Sequence, residues 1–165
     1  MQVGDYIMYG FNNKVLRVNL TTNYLKVEEL NEKVYRKHLG GRSLALYFLL
    51  KELEPKVDPL GPENKLVFAT SVTTGIPLPG FSRYSVVAKS PLTHGFGEAE
   101  AGGFWGPELK FAGFDVVIVE GASPKPVYVW VHDGEAEIKD ASHAWGRTTK
   151  EAQEVIRKET GDPLV

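Results

Sequence analysis

Between Thr73 and Gly106 the chain places seven glycines and a series of prolines, and this stretch limits the fold more than any other feature. It reads Thr73-Thr74-Gly75-Ile76-Pro77-Leu78-Pro79-Gly80-Phe81-Ser82-Arg83, then Ser90-Pro91-Leu92-Thr93-His94-Gly95-Phe96-Gly97, then Ala101-Gly102-Gly103-Phe104-Trp105-Gly106. Glycine is used where backbone turns sharply or where another group must come close to it. Gly102 and Gly103 also precede a short helix opened by Pro107, and free N–H groups at such a start favour an anion such as phosphate. Arg83 adds a planar, permanently charged fork suited to phosphate or a polar heterocycle. By pattern alone, a set of tight turns with a surface arginine stands as the plainer reading, and no Walker or dinucleotide spacing is present.

Short elements surround this stretch. Leu16, Val18 and Leu20 recur at period two, as do Leu25 and Val27, and Thr21-Thr22-Asn23 between them predicts a hairpin. Helical spacing follows over Glu32 to Leu39 and over Leu44 to Leu53, broken by Gly40-Gly41, with Ser43 as the expected N-cap of the second helix and Pro55 beyond its end. Leu66 to Ala69, Tyr84 to Ala88, Val116 to Val119 and Val127 to Val131 are rich in β-branched and aromatic residues and predict strands. Gly106 to Gly113 is punctuated as a short helix with Pro107 at its first position, and a last helix runs from about Thr148 to Glu159, closed by Gly161. Strands and helices mix without strict βαβ alternation, so the predicted class is α+β, one domain over 1–165 with a loose start at 1–8.

At 165 residues the chain can bury about two thirds of its unfolded surface, enough for a real core. A net charge of −2 offers no basic stripe for nucleic acid. The longest apolar run, Leu44 to Leu50, is far short of the roughly 20 residues of a membrane helix, and the first residues lack a basic leader, so a cytoplasmic protein is expected. The absence of cysteine removes disulfides, thiolate nucleophiles and thiolate ligation of iron–sulfur clusters at once.

Other candidates are weaker. His38, His94, His132 and His143 show no ligand spacing and read as surface or structural residues, with His94 singled out because it lies in the glycine-rich region. Glu98 and Glu100 alternate along an extended segment and can place two carboxylates on one face for a hard cation, although a solvated strand edge accounts for them as well. Phe104 and Trp105 read as core anchors rather than as a stacking platform, and Tyr128 and Trp130 as packing.

A set of longer segments carries a resemblance. Met8-Tyr9-Gly10 leads to Lys14-Val15-Leu16-Arg17-Val18-Asn19-Leu20-Thr21-Thr22, followed by Leu39-Gly40-Gly41-Arg42-Ser43-Leu44-Ala45 and Val57-Asp58-Pro59-Leu60-Gly61-Pro62-Glu63-Asn64-Lys65-Leu66. Lys89-Ser90-Pro91-Leu92-Thr93, Gly102 to Gly113 and Ala141-Ser142-His143-Ala144-Trp145-Gly146 continue it. In order and spacing, from Met8 to Asp162, these segments resemble the amino-terminal domain of the tungsten-containing aldehyde:ferredoxin oxidoreductases.

The resemblance implies a saddle-like support for a tungsten held by two pterins (tungstopterin), with magnesium bridging the pterin phosphates. It implies that Arg83 contacts the pterin system, that Ala101, Gly102 and Gly103 form a pterin-binding loop, and that the main-chain carbonyl of Glu100 helps hold the magnesium. Glu100 departs from the family's usual asparagine there, Asn13 from a common glycine, and His94 from another. The resemblance further implies a 4Fe-4S cluster on cysteines in helical domains that this chain lacks, and no catalytic residue within it. Expected partners are those helical domains or a companion subunit, ferredoxin for the full enzyme, and further copies of the chain through an uncovered sheet face. The implied activity is oxidation of aldehydes to carboxylic acids with ferredoxin as acceptor; the alternative is a truncated or split-gene relative without activity, serving as a subunit or pterin-binding module.

Overall fold

The computed structural model describes residues 10–163, so the expected loose start at 1–8 lies outside the described residues. Its centre is a six-stranded sheet in the order β2-β1-β6-β3-β4-β5. The strands are β1 (Val15–Asn19), β2 (Tyr24–Glu28), β3 (Lys65–Thr70), β4 (Tyr84–Lys89), β5 (Phe96–Ala101) and β6 (Val116–Glu120). Only β1 and β6 run parallel, and the other neighbours are antiparallel. A separate hairpin joins β7 (Val127–His132) to β8 (Glu135–Asp140). With α1 (Glu32–His38), α2 (Gly41–Glu52), α3 (Trp105–Phe111) and α4 (Thr149–Thr160), the chain is the α+β domain that the sequence predicts.

Alternation along the strands divides the core. Val15, Val67, Ala69, Val87, Val116 and Ile118 point to one face, where Tyr35 of α1 and Leu44, Phe48 and Leu49 of α2 cover them. Leu16, Val18 and Val117 point to the other, under Leu109 of α3, Phe114, and the inward residues Val129, Val131, Ala136 and Ile138 of the β7–β8 hairpin. The cover on this second face reaches β4 at Tyr84, beneath Trp105, and stops short of Val86 and β5. Leu66 is 41% exposed there, and Ala99, opposite Val86, lies in the open.

Two helix starts differ from expectation. Ser43 lies inside the first turn of α2, its Oγ 3.2 Å from Nδ1 of His38, and the N-cap is Gly40, which a bridge to Ser71 fixes in place. Pro107 is the third residue of α3 rather than the first, a position it tolerates because first-turn N–H groups have no acceptor within the helix. The last helix begins as predicted: Thr148 and Glu151 form a reciprocal capping box, and Gly161 closes the other end.

Asp115, 2% exposed, fixes α3 to the sheet. Its carboxylate accepts hydrogen bonds from the Asn12 amide (2.9 Å), the Tyr35 hydroxyl (3.1 Å) and Nζ of Lys110 (2.8 Å), and Lys110 also donates to the carbonyl of Gly10 (2.7 Å). Burial first, and then the neighbouring Asp115 charge, push the Tyr35 phenol well above its ordinary range, so it remains a neutral donor. Because Lys110 lies on α3, this network sets the helix that follows Gly102-Gly103.

Candidate functional site

The antiparallel register of β4 and β5 pairs Tyr84 with Ala101 and Ser85 with Glu100. Arg83 immediately precedes β4 and Gly102 immediately follows β5, so the candidate arginine and the candidate loop flank one end of the strand pair. The fold thus brings together Arg83, Glu100, Ala101, Gly102 and Gly103, residues separated by the whole β4–β5 excursion in sequence.

Below this end the structure is firmly held. Oγ1 of Thr74, a residue 6% exposed, donates to the main-chain carbonyl of Arg83 at 2.7 Å and accepts from the Ser71 amide at 2.9 Å. Above it, the Arg83 side chain is 68% exposed. Its nearest charged partner among the described residues is Glu100, at 3.9 Å and beyond hydrogen-bond reach, so the guanidinium remains largely in solvent.

The glycines of this region serve different ends. A Cβ on Gly106 would lie 2.9 Å from the carbonyl oxygen of Ser82 and 3.2 Å from the Tyr84 ring, so internal packing requires that glycine. Gly103 has φ +87° with nothing within 4 Å, so backbone conformation requires it and the space above it is open. Gly102 has neither reason: a Cβ there would meet only Oγ of Ser82, at an ordinary 3.4 Å. What it leaves free is access from outside the chain.

Beside the loop, the Trp105 ring lies 4.4 Å from that of Tyr84 and 5.3 Å from that of Phe68, centroid to centroid, and remains 42% exposed. The core role expected for Phe104 is not found, since Phe104 is 84% exposed. The turn into α3 points it outward while Trp105 takes the inner position. The aromatic shelf of Tyr84 and Trp105 was not singled out from sequence. Its signal is the placement of Tyr84 directly after Arg83 in a strand paired with the loop.

Glu98 and Glu100 share a face of β5, as alternation requires, but each lies beside an arginine. Arg42 of α2 meets Glu98 at 3.0 Å and Arg83 approaches Glu100. Among the described residues no group of three His, Cys, Asp or Glu side chains is arranged to hold a metal. Three histidines have structural neighbours: His38 lies against Tyr47, His132 stacks on Trp130 at 3.9 Å, and Nε2 of His143 meets Glu159 at 2.9 Å. Trp130 also carries Nζ of Lys139 over its ring at 4.2 Å, and the Tyr128 hydroxyl is buried, in keeping with packing roles. His94 lies at the opposite end of β4–β5, away from the loop.

A model of the N-terminal domain of aldehyde ferredoxin oxidoreductase matches residues 15–165. The chain belongs to this family. It is 51% identical over 158 residues to the tungsten-containing aldehyde ferredoxin oxidoreductase of Pyrococcus furiosus, covering 96% of this chain and 26% of that protein. It is 41% identical over 160 residues to the WOR-like subunit of an aliphatic sulfonate oxidoreductase of the same organism, covering 95% of this chain and 25% of that one. Among solved structures, the BamBC active-site complex of benzoyl coenzyme A reductase, bound to 1,5-dienoyl-CoA, superposes with a TM-score of 0.90 at 37% identity, over 94% of this chain and 24% of that one. The chain thus spans about a quarter of the length of the curated relatives it matches. No helix among the described residues is long and apolar enough to cross a membrane.

A family of tungsten enzymes implies a tungstopterin, and the surface at Arg83 fits such a group. Its phosphates need cationic, hydrogen-bonding donors, which an exposed guanidinium provides. Its flat rings need backbone without side chains in the way and apolar surface nearby, which Gly102, Gly103, Tyr84 and Trp105 provide.

Proposed function

We propose that this chain is the tungstopterin-binding domain of an oxidoreductase that oxidises aldehydes to carboxylic acids with ferredoxin as electron acceptor. The observation that supports it best is Gly102, a glycine that neither its backbone conformation nor any described neighbour requires, next to an exposed arginine. When bound, the tungsten–pterin group supplies the two-electron chemistry at the aldehyde carbon. The protein's part here is positional. Arg83 holds the anionic edge of the cofactor, Ala101-Gly102-Gly103 admits it close to the main chain, and Tyr84 with Trp105 shields an apolar side from water. The carbonyl of Glu100 is the expected magnesium ligand, and any residue can provide a carbonyl. Its carboxylate repels a phosphate unless a cation lies between them, and the nearby Arg83 charge offsets part of that repulsion.

No residue of this chain is assigned a bond-making role. With no cysteine among these 165 residues, the thiolates of a 4Fe-4S cluster lie outside them, as do the groups that complete the cofactor's enclosure. The test is the tungsten and pterin content of the holoprotein. Arg83→Ala is expected to weaken cofactor binding by about 1.5–3 kcal/mol, the usual worth of a charge-assisted hydrogen bond. Gly102→Val is expected to block the approach sterically. Wild-type occupancy in both variants would overturn the assignment and leave the loop as a set of turns.

A further inference from the structure

The far end of the β4–β5 pair carries a second built surface, independent of the cofactor reading. Two loops meet there, Lys56 to Leu60 after α2 and Ser90 to Gly95 between β4 and β5, with Lys89 closing β4 beside them. The Asn64 side chain joins them: its Nδ2 donates to the carbonyls of Pro59 (2.8 Å) and Lys89 (3.1 Å), and its Oδ1 accepts from the Lys89 amide (3.2 Å). Nζ of Lys89 adds a further link to the Val57 carbonyl at 2.5 Å. Between the loops lies an open cleft of about 580 Å³ lined by Lys56, Val57, Asp58, Pro59, Lys89 and His94.

Lys56 and His94 both adopt left-handed backbone, at φ 68° and 55°. That conformation is uncommon for lysine and better tolerated by histidine, and here it places one of the two on each lip. Asp58 is the acidic residue of the lining, and its Oδ1 is already engaged by the Leu60 amide at 3.0 Å. Each loop also carries a leucine left in solvent, Leu60 at 82% and Leu92 at 88% exposure. A cationic cleft with apolar rims is poorly matched to a free inorganic anion, which makes no use of the leucines. A second copy of this chain seated on the same surface would bring lysine against lysine.

We infer that this end of the molecule is a docking surface for a protein segment that presents carboxylates between large apolar side chains. The carboxylates enter beside Lys56, Lys89 and His94 while the apolar groups cover Leu60 and Leu92.

The test uses the full chain, isotope-labelled, titrated with a short peptide centred on Leu-Glu-Glu-Leu and with its Leu-Gln-Gln-Leu counterpart, following amide shifts by NMR. The acidic peptide is expected to move the amides of residues 56–60 and 89–95 and to bind at least about fivefold more tightly than the neutral one, as two exposed ion pairs allow. Lys56→Asn with His94→Asn removes the Lys56 charge and the His94 imidazole, leaving Lys89, while keeping residues that tolerate left-handed backbone, and should lose at least half of that difference. Leu60→Ala with Leu92→Ala should weaken the acidic peptide several-fold, whereas Arg83→Ala at the other end should leave binding unchanged. The inference is overturned if the two peptides bind alike, if neither shifts these residues, or if inorganic phosphate competes fully and the leucine variant has no effect, which indicates a small-anion site. Shifts at these residues that follow protein concentration without peptide would instead indicate a contact between copies, and would overturn it too.

Discussion

The two halves of the main sheet are built to different ends. Around β1 and β6, Val15, Val18, Val116 and Ile118 are fully buried, with α1 and α2 on one face and the β7–β8 hairpin and α3 on the other. Around β4 and β5 the α2 face is covered, but the opposite face runs out from Leu66 through Val86 to the exposed Ala99. Stability therefore resides in the first half, while the second presents Arg83, Gly102 and Gly103 at one end and the cationic cleft at the other. A site needs backbone and side chains that the core does not use, and only the half-covered part of the sheet has them.

The sharpest way to break this contrast is to damage the covered half. Phe114 is fully buried beneath α3 and the hairpin, so Phe114→Ala should cost about 3–5 kcal/mol in denaturant unfolding through lost contacts and a cavity. A loss below about 1 kcal/mol would show that this layer is loosely packed and that the division of labour is wrong.

Two glycines four positions apart sharpen the contrast. Gly106→Ala forces a methyl group against the Ser82 carbonyl and the Tyr84 ring and should destabilise by about 1–3 kcal/mol, as overpacking does. Gly102→Ala should change stability by less than about 0.5 kcal/mol, because the added methyl finds room. Equal losses for both would mean that Gly102 is structural after all.

Charge in the covered half gives the next effect. Arg17 grips Glu52 through two bonds of 2.6 Å and Glu28 through one of 2.8 Å, and Lys65 pairs with both Glu52 and Glu120. Burial alone raises the Glu52 carboxyl, but hydrogen bonds and charge from Arg17 and Lys65 outweigh it, and the net result lies below the usual range. A depressed carboxylate contributes stability above its unfolded pKa of about 4.3, and that contribution is lost as pH falls through the lower folded value. Glu52→Gln should therefore cost about 1–2 kcal/mol at neutral pH, allowing for screening, and little once both states are protonated in acid. Unfolding curves at a series of pH values check both the size and the direction.

Legibility in sequence follows the same division. The hairpin of β1 and β2, the buried runs of β3, β4 and β6, and the capped α4 all carry strong periodicity or punctuation, and their bounds are readable within a residue or two. One strand escaped, and another reads only as an extended segment around Glu98 and Glu100. In β8, Glu135-Ala136-Glu137-Ile138-Lys139-Asp140, the charged alternate residues hide an inward Ala136 and Ile138, although Asp133-Gly134 before it supplies the left-handed pair a tight hairpin needs. In β5, Phe96-Gly97-Glu98-Ala99-Glu100-Ala101, there is almost no apolar signal, because an edge strand with one open face has little to bury. The candidate residues of the site could be named by their types and by family resemblance. Their assembly could not, because only the pairing of β4 with β5 brings Arg83 to Gly102.

The smallest effect on stability tests the open face itself. Ala99 is exposed on the edge strand β5, opposite Val86, on the open part of the face that α3 and the hairpin cover elsewhere. If that face is the surface expected to associate with further copies, a lysine there should oppose association, because the edge must then desolvate a charge against a like charge from the partner. Ala99→Lys should leave unfolding free energy within about 0.5 kcal/mol of wild type, since the side chain extends into water. Light scattering over a concentration series should show wild-type chain moving to higher mass while the variant stays monomeric. Wild-type chain that remains monomeric at high concentration would mean that the uncovered apolar area is too small or too dispersed to drive association. The face would then be open without being adhesive, and the contrast between the two halves would rest on packing alone.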